Sequence, residues 1–172
     1  MRQTVTPEPA SLTPQAERIV ISVDAMGSDK GPAAIVAGCS LSAKKNKDIF
    51  FLLHGRASEL EPLVARKKHL RDRCTIVEAD GIVSMEDKPS QVMRSGKSTS
   101  MWSALESVRN GDATVCVSCG NTGALMALSV IRLRKTPGVY RPAIAVLWPS
   151  RNPQGFNVML DAGADIRADE RD

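Results

Sequence analysis

Short apolar segments that alternate with helical patterns restrict the fold of this sequence more than any other feature. The first segment, residues 18–23, is nearly all apolar and rich in β-branched side chains, as expected of a parallel strand covered on both faces. The alternation predicts an α/β fold of three αβα layers around a mostly parallel sheet. The predicted strands are residues 18–23, 49–53, 74–78, 113–117, 142–148 and 157–160, and the predicted helices are 33–45, 57–68, 89–94, 98–109 and 124–134.

The two ends of the sequence differ from its middle. Residues 1–17 place prolines among Thr, Ser, Glu and Gln, and such a segment buries too little to offset its ordering entropy. We therefore expect a disordered tail over residues 1–17 and one αβα domain over residues 18–172. Residues 162–170 resemble the start of another strand-to-helix unit, and the sequence ends at Asp172, where that helix would begin. This pattern predicts a truncated domain, the N-terminal portion of a larger unit.

Composition excludes several classes of protein. Aromatic residues make up 3% of the chain, which argues against a platform that stacks bases on rings, so no nucleic-acid partner is expected. The net charge of +4 suggests an anionic substrate or an acidic partner, although an ordinary solvated surface explains it equally well. The first 17 residues lack the apolar region of a secretory signal, so we expect a cytoplasmic, reducing environment in which the cysteines stay unpaired.

Polar turns that contain glycine follow several of the predicted strands. In an open α/β sheet, ligands bind at the carboxyl ends of the strands. We therefore expect the turns at residues 24–31, 80–90 and 118–123 to converge on one site, together with a fourth turn at 161–165.

The turn at residues 118–123 carries the strongest signal. Gly120 and Gly123 allow the backbone to approach a ligand closely, and Asn121 or Thr122 can cap the helix that follows. The free N–H groups of a helix start favour an anion, such as phosphate or a carboxylate. A plain N-cap with tight strand–helix packing explains the same residues equally well.

Two other turns offer charged groups. The turn that holds Asp24, Gly27 and Asp29 fits neither the Walker A pattern nor Gly-x-Gly-x-x-Gly. Asp24 can act as a base or position a substrate hydroxyl, and the structural alternative is an Asx turn. Lys88 stands just before a helix that begins with proline, where it can pair with a phosphate, although a solvated loop with Ser90 as an early helix residue explains this segment too.

The cysteines form no recognisable metal site. Cys116 and Cys119 have the Cys-x-x-Cys spacing, but no further ligands follow at the spacing of a zinc site, so no metal is expected. Cys116 is predicted to point into the core from its strand. Cys119 lies at a predicted helix start, where the pKa of a thiol can fall, and is a candidate nucleophile.

Taken together, these motifs resemble the PlsX family of phosphate acyltransferases from bacterial phospholipid synthesis. The resemblance covers about residues 18–172. The sequence departs from the family at Ser28, Lys30 and Cys119, where members usually have glycine, histidine and alanine, and full members are about twice as long. The matching segments, in family order and at similar spacing, are residues 24–32, 83–90, 100–101, 116–127, 141–143 and 160–165.

The resemblance implies a reaction and its setting. The implied activity transfers a long-chain acyl group from acyl carrier protein to inorganic phosphate, which gives acyl phosphate for phosphatidic acid synthesis without a cofactor. The implied fold is the isocitrate dehydrogenase-like or phosphotransacetylase-like αβα class. The implied protein is a cytoplasmic homodimer that associates peripherally with the membrane and contacts the membrane glycerol-3-phosphate acyltransferase. Two alternatives stay open: a short-chain phosphotransacylase that uses coenzyme A, and an inactive truncated fragment that only binds acyl carrier protein.

Residue roles follow from the same resemblance. Phosphate is itself the nucleophile, so no acyl-enzyme is required, and the site must hold an anion and stabilise an oxyanion. The catalytic candidates are Asn121, Lys88 and Asp24. The candidates for binding substrate or phosphate are Gly120, Thr122, Gly123, Gly27, Asp29 and Ser90.

Overall fold

The computed structural model describes residues 19–139 and 143–160. The predicted tail and the predicted turn at 161–165 lie outside these residues, as does part of the matching segment at 141–143. The strands are Ile19–Asp24 (β1), Ile49–Gly55 (β2), Cys74–Glu78 (β3), Val115–Ser118 (β4), Ala145–Pro149 (β5) and Phe156–Leu160 (β6). The helices are Gly31–Lys45 (α1), Ala57–Ala65 (α2), Pro89–Ser95 (α3), Ser100–Asn110 (α4) and Thr122–Arg132 (α5).

A parallel sheet forms the centre of the fold. Its strand order is β3-β2-β1-β4, and each strand pairs with its neighbours in parallel. Parallel strands need crossover connections, which the helices supply. The carboxyl ends of β1 and β4 lie side by side, since Asp24 pairs with Ser118 in the register. The turns that follow these two strands therefore start at one edge of the sheet.

Helices cover both faces of this sheet, which confirms the predicted αβα layers. On one face, Val23 of β1 packs in a buried cluster with Val36 and Cys39 of α1 and Leu60 of α2. Ser22 precedes Val23 and faces the other way, where its hydroxyl donates to the carbonyl oxygen of Ala104 in α4. The alternation along β1 thus separates an apolar layer from a layer that contains polar contacts.

The last two strands depart from the parallel pattern. β5 and β6 pair with each other in antiparallel fashion and form a separate two-stranded sheet. The strand predicted at 142–148 is Ala145–Pro149, and the helix predicted at 57–68 ends at Ala65. Apolar runs locate a strand, but they do not specify its partner or its exact ends.

A buried polar network holds α4 against the sheet. His54 at the end of β2 is fully buried, with Nε2 2.9 Å from the Ser22 hydroxyl and Nδ1 2.8 Å from that of Ser103. Burial lowers the pKa of His54 from its ordinary value of 6.5 to about 4, against the opposing effect of the Asp24 charge. The imidazole is therefore neutral at pH 7 and links β1, β2 and α4.

Among the helices that the structure describes, none has both the length and the apolar character needed to cross a membrane.

Candidate functional site

Asp24 joins the elements that form the edge of the sheet. Its carboxylate is almost fully buried and accepts hydrogen bonds from the hydroxyls of Ser100 at 2.6 Å and Ser118 at 2.8 Å. The backbone N–H groups of Met26 and Gly27 donate to the same carboxylate at 3.3 and 3.2 Å. These donors tie the turn after β1 to β4 and to the start of α4. The bonds from Met26 and Gly27 agree with the structural alternative of an Asx turn at Asp24.

The turns after β1 and β4 touch through two glycines. A Cβ built on Gly120 would lie 2.8 Å from the carbonyl oxygen of Gly27, and a Cβ on Gly27 would lie 2.5 Å from Oδ2 of Asp24. A side chain at Gly120 would force the turns apart, and a side chain at Gly27 would displace the carboxylate of Asp24. In the described structure, the close approach that Gly120 permits is therefore to the other turn.

Asn121 connects the helix start to the third turn. It is the N-cap of α5, and its Oδ1 accepts a hydrogen bond from the N–H of Ala124 at 3.0 Å. Its Nδ2 donates to the carbonyl oxygens of Ser84, Met85 and Asp87 at 3.0, 3.2 and 2.9 Å. Every polar atom of this side chain is therefore engaged, and Asn121 fixes the 84–87 segment against α5.

The start of α5 is open to a ligand. Thr122 and Gly123 are exposed, and no described residue accepts a hydrogen bond from their backbone N–H groups. A Cβ on Gly123 would lie 3.2 Å from Cγ of Pro89, so α3 begins beside α5. Lys88 and Ser90 flank that proline and are exposed, and no described carboxylate lies within ion-pair distance of Lys88. Lys88 and Ser90 are thus the sequence neighbours of a proline that contacts the start of α5.

A second recess near these turns is acidic. It has a volume of about 260 Å³ and is lined by Gly27, Asp29, Ile82 and Glu86, among others. The hydrogen bond from Ser84 lowers the pKa of Glu86, so its carboxylate stays ionised at pH 7. Two carboxylates disfavour a phosphate here, and Asp29 belongs to this recess rather than to the start of α5.

The cysteines differ in their environments. Cys116 packs partly buried against the cluster around α4 and α5, which confirms the predicted orientation, and burial raises the pKa of its thiol to about 12. Cys119 is exposed in the turn. Among the described residues, no group of three or more His, Cys, Asp and Glu side chains could hold a metal ion.

Two groups at this edge have no functional signal in the sequence. Ser100 lies in a matching segment but was not among the predicted site residues. Its hydroxyl donates a hydrogen bond to Asp24, which is 76 positions earlier in the sequence. His54 was an isolated histidine in the sequence, and only the fold surrounds it with serine hydroxyls. Neither pairing leaves a local signal, because the partners come from different elements.

Comparison with known proteins gives consistent matches. The family model described as "Fatty acid synthesis protein" matches residues 19–172, which include every described element. The chain is 73% identical over 157 residues to a phosphate acyltransferase of Ruegeria sp. (strain TM1040), which covers 91% of this chain and 42% of that protein. It is 69% identical over 154 residues to a phosphate acyltransferase of Paracoccus denitrificans (strain Pd 1222), at 90% of this chain and 42% of that protein.

A third relative extends the same pattern. The phosphate acyltransferase of Roseobacter denitrificans is 66% identical over 158 residues, which covers 92% of this chain and 44% of that protein. The chain therefore spans less than half the length of these curated relatives. The matches confirm the resemblance to phosphate acyltransferases that the motifs indicated. Because the family model matches all described elements, the chain belongs to the fatty acid synthesis protein family, in which PlsX phosphate acyltransferases are found.

Proposed function

We propose that this chain carries the phosphate-binding part of the active site of a long-chain acyl-[acyl carrier protein]:phosphate acyltransferase. The observation that carries the proposal is the open start of α5, where Thr122 and Gly123 present N–H groups that no described residue uses. The N-terminus of a helix combines unpaired donors with the positive end of the helix dipole, which favours an anion. Inorganic phosphate satisfies both conditions.

Neighbouring side chains support phosphate at this position. Lys88 adds a positive charge, and the hydroxyls of Thr122 and Ser90 add donors near the two helix starts. Asn121 does not bind phosphate in this proposal. It holds the segment that leads to Lys88 against the start of α5. Asp24 holds the turn after β1 against the end of β4 in the same way.

The reaction needs no covalent enzyme intermediate. A phosphate oxygen attacks the thioester carbonyl carbon, a C–O bond forms, and the carbonyl electron pair moves onto oxygen. The resulting oxyanion is stabilised by Lys88 and the N–H donors at the start of α5. Collapse breaks the C–S bond, and the proton of the attacking hydrogen phosphate goes to the departing thiolate. The products are acyl phosphate and the free thiol. Holding both reactants in contact supplies much of the rate enhancement.

The setting of the reaction is part of the proposal. The net charge of +4 supports an acidic acyl carrier protein as the donor. The resemblance supports a cytoplasmic homodimer with peripheral membrane association that delivers acyl phosphate to a membrane glycerol-3-phosphate acyltransferase for phospholipid synthesis. The names of the relatives support acyl transfer to phosphate.

A matched pair of lysine variants tests the proposal. Acyl phosphate formation from palmitoyl-acyl carrier protein is measured for this chain and for a longer family protein that contains it. We expect Lys88→Ala to raise the KM for phosphate about tenfold, the loss of one charge-assisted contact. Lys97→Ala, which removes another exposed lysine, should leave the KM unchanged.

The outcomes separate the candidate functions. An equal KM for phosphate in both lysine variants would remove Lys88 from the site. Turnover with acetyl-coenzyme A but not with palmitoyl-acyl carrier protein would favour the short-chain alternative. If this chain and the longer protein both fold and bind acyl carrier protein but neither forms product, the proposed acyltransferase activity is contradicted.

A further inference from the structure

Ser100, the first residue of α4, contacts two of the three turns at the carboxyl edge of the sheet. Its backbone N–H donates to the carbonyl oxygen of Gly81 at 2.9 Å, in the segment that follows β3. Its hydroxyl donates to Oδ1 of Asp24 at 2.6 Å, where the turn after β1 begins. Ser100 is fully buried, so both contacts are shielded from water. This residue therefore joins the segment after β3 to the turn after β1.

The carboxylate of Asp24 extends this connection to the turn after β4. Its Oδ2 accepts a hydrogen bond from the hydroxyl of Ser118 at 2.8 Å, and Oγ of Ser118 accepts one from the N–H of Gly120 at 3.1 Å. Because the Ser118 proton points to Asp24, the lone pairs of its oxygen are left to accept from Gly120. A continuous chain of hydrogen bonds thus runs from Ser100 to Gly120, which directly precedes Asn121, the N-cap of α5.

The position of the Asp24 carboxylate depends on these donors. Asp24 is 1% exposed, and no ion pair of the described residues includes it. A buried carboxylate without a cation needs hydrogen bonds to compensate for the water it has lost. The bond from Ser100, at 2.6 Å, is shorter than those from Ser118, Met26 and Gly27. Loss of this donor would move the carboxylate toward its remaining partners, and Ser118 would move with it.

The start of α4 does not require the hydroxyl of Ser100. Thr99 caps this helix, because its Oγ1 accepts a hydrogen bond from the N–H of Trp102 at 3.2 Å. The hydroxyl of Ser100 instead serves a contact between elements that are far apart in the sequence.

We propose that Ser100 is a positioning residue for acyl transfer, which acts through Asp24 and Ser118 to set the start of α5 where phosphate binds. The inference rests on the proposed function and adds to it a residue that does not touch the substrate. Placement of the reactants supplies much of the rate enhancement, so a displaced helix start should weaken the use of phosphate.

Two serines of α4 provide a matched test. Ser103 lies about one turn after Ser100, and its hydroxyl is 2.8 Å from Nδ1 of the buried His54. Ser100→Ala and Ser103→Ala therefore remove the same atom from the same helix, each from a short bond to a buried side chain. Ser118→Ala breaks the next link of the chain and serves as a second variant. Urea midpoints, amide exchange and phosphate titration are measured on this chain, and steady-state kinetics with palmitoyl-acyl carrier protein on the longer family protein.

The expected result is a separation of stability from the use of phosphate. All three variants should lower the urea midpoint, because each loses a buried hydrogen bond. Ser100→Ala and Ser118→Ala should raise the KM for phosphate about tenfold, the equivalent of one hydrogen bond, and leave the KM for palmitoyl-acyl carrier protein unchanged. Without phosphate, the amide of Gly120 should exchange faster in these two variants. Ser103→Ala should keep the KM for phosphate and the Gly120 exchange of the unsubstituted protein.

The two levels of the argument fail separately. An equal KM for phosphate in Ser100→Ala and Ser103→Ala would reduce Ser100 to a contribution to stability and overturn the proposal. Absence of phosphate binding and of product in the unsubstituted protein would refute the proposed function. In that case, faster Gly120 exchange in Ser100→Ala but not in Ser103→Ala would still support the position that Ser100 gives to the start of α5.

Discussion

Substitution of Asn121 separates the two tasks that its side chain performs. Oδ1 caps α5, and Nδ2 holds the carbonyl oxygens of the 84–87 segment. Serine keeps a capping oxygen but is too short to reach that segment, and alanine removes both interactions. An N-cap contributes about 1 kcal/mol, and the two N–H groups of the amide about 1 kcal/mol each. Asn121→Ser should therefore cost about 2 kcal/mol and Asn121→Ala about 3 kcal/mol.

Urea unfolding measures these costs directly. With an m value of about 2 kcal/mol/M, the midpoint should fall by about 1 M for Asn121→Ser and about 1.5 M for Asn121→Ala. Asn110→Ser, at the exposed end of α4, is the control and should stay within about 0.5 kcal/mol of the unsubstituted chain. The amides of residues 84–90 should exchange faster with solvent in both Asn121 variants.

Turnover gives a second measure of the same substitution. Because the 84–87 segment leads directly to Lys88, both Asn121 variants should cut acyl phosphate formation strongly while folding is retained. A serine variant with the midpoint, amide exchange and turnover of the unsubstituted chain would refute the reasoning, because the amide would then not hold this segment.

Two further predictions concern stability. Burial lowers the pKa of His54 to about 4, so the folded chain resists protonation of this side chain while the unfolded chain does not. The free energy of unfolding should therefore be highest above pH 6.5 and fall toward pH 4 by up to about 3 kcal/mol. Urea midpoints of His54→Gln that decline as steeply with acid as those of the unsubstituted chain would contradict this. Gly120→Ala places a Cβ 2.8 Å from the Gly27 carbonyl oxygen and should lower the free energy of unfolding by about 2 kcal/mol. Gly38→Ala places a Cβ with no atom within 4 Å and should raise the free energy of unfolding by about 1 kcal/mol. Equal Tm values for the two alanine variants would refute this difference.

The sequence was sufficient to predict the layers of the fold and the meeting of the three turns at one edge of the sheet. β1 and the strands beside it have the apolar character of buried parallel strands, and their carboxyl ends must meet at one edge. The cap by Asn121 also follows from residue type, because asparagine is a preferred N-cap. The predicted meeting of the turns at 24–31, 80–90 and 118–123 is confirmed by the contacts of Asn121 and Asp24.

The remaining features depend on contacts between distant residues. The bond from Ser100 to Asp24 and the contact between Gly27 and Gly120 join elements that are far apart in sequence, so no local pattern encodes them. The antiparallel pairing of β5 with β6 was not predicted, because an apolar run does not specify its partner.

Phosphate binding at the start of α5 is tested most directly by a phosphate titration that follows the NMR amide resonances of this chain. We predict saturable shifts at Thr122 and Gly123, since their N–H groups lie at the open start of α5. Sodium chloride at equal ionic strength is the control and should not reproduce them. Ser28 and Asp29, which line the acidic recess, should show no comparable shifts. Unchanged resonances at Thr122 and Gly123 at saturating phosphate, or shifts confined to the acidic recess, would contradict the account.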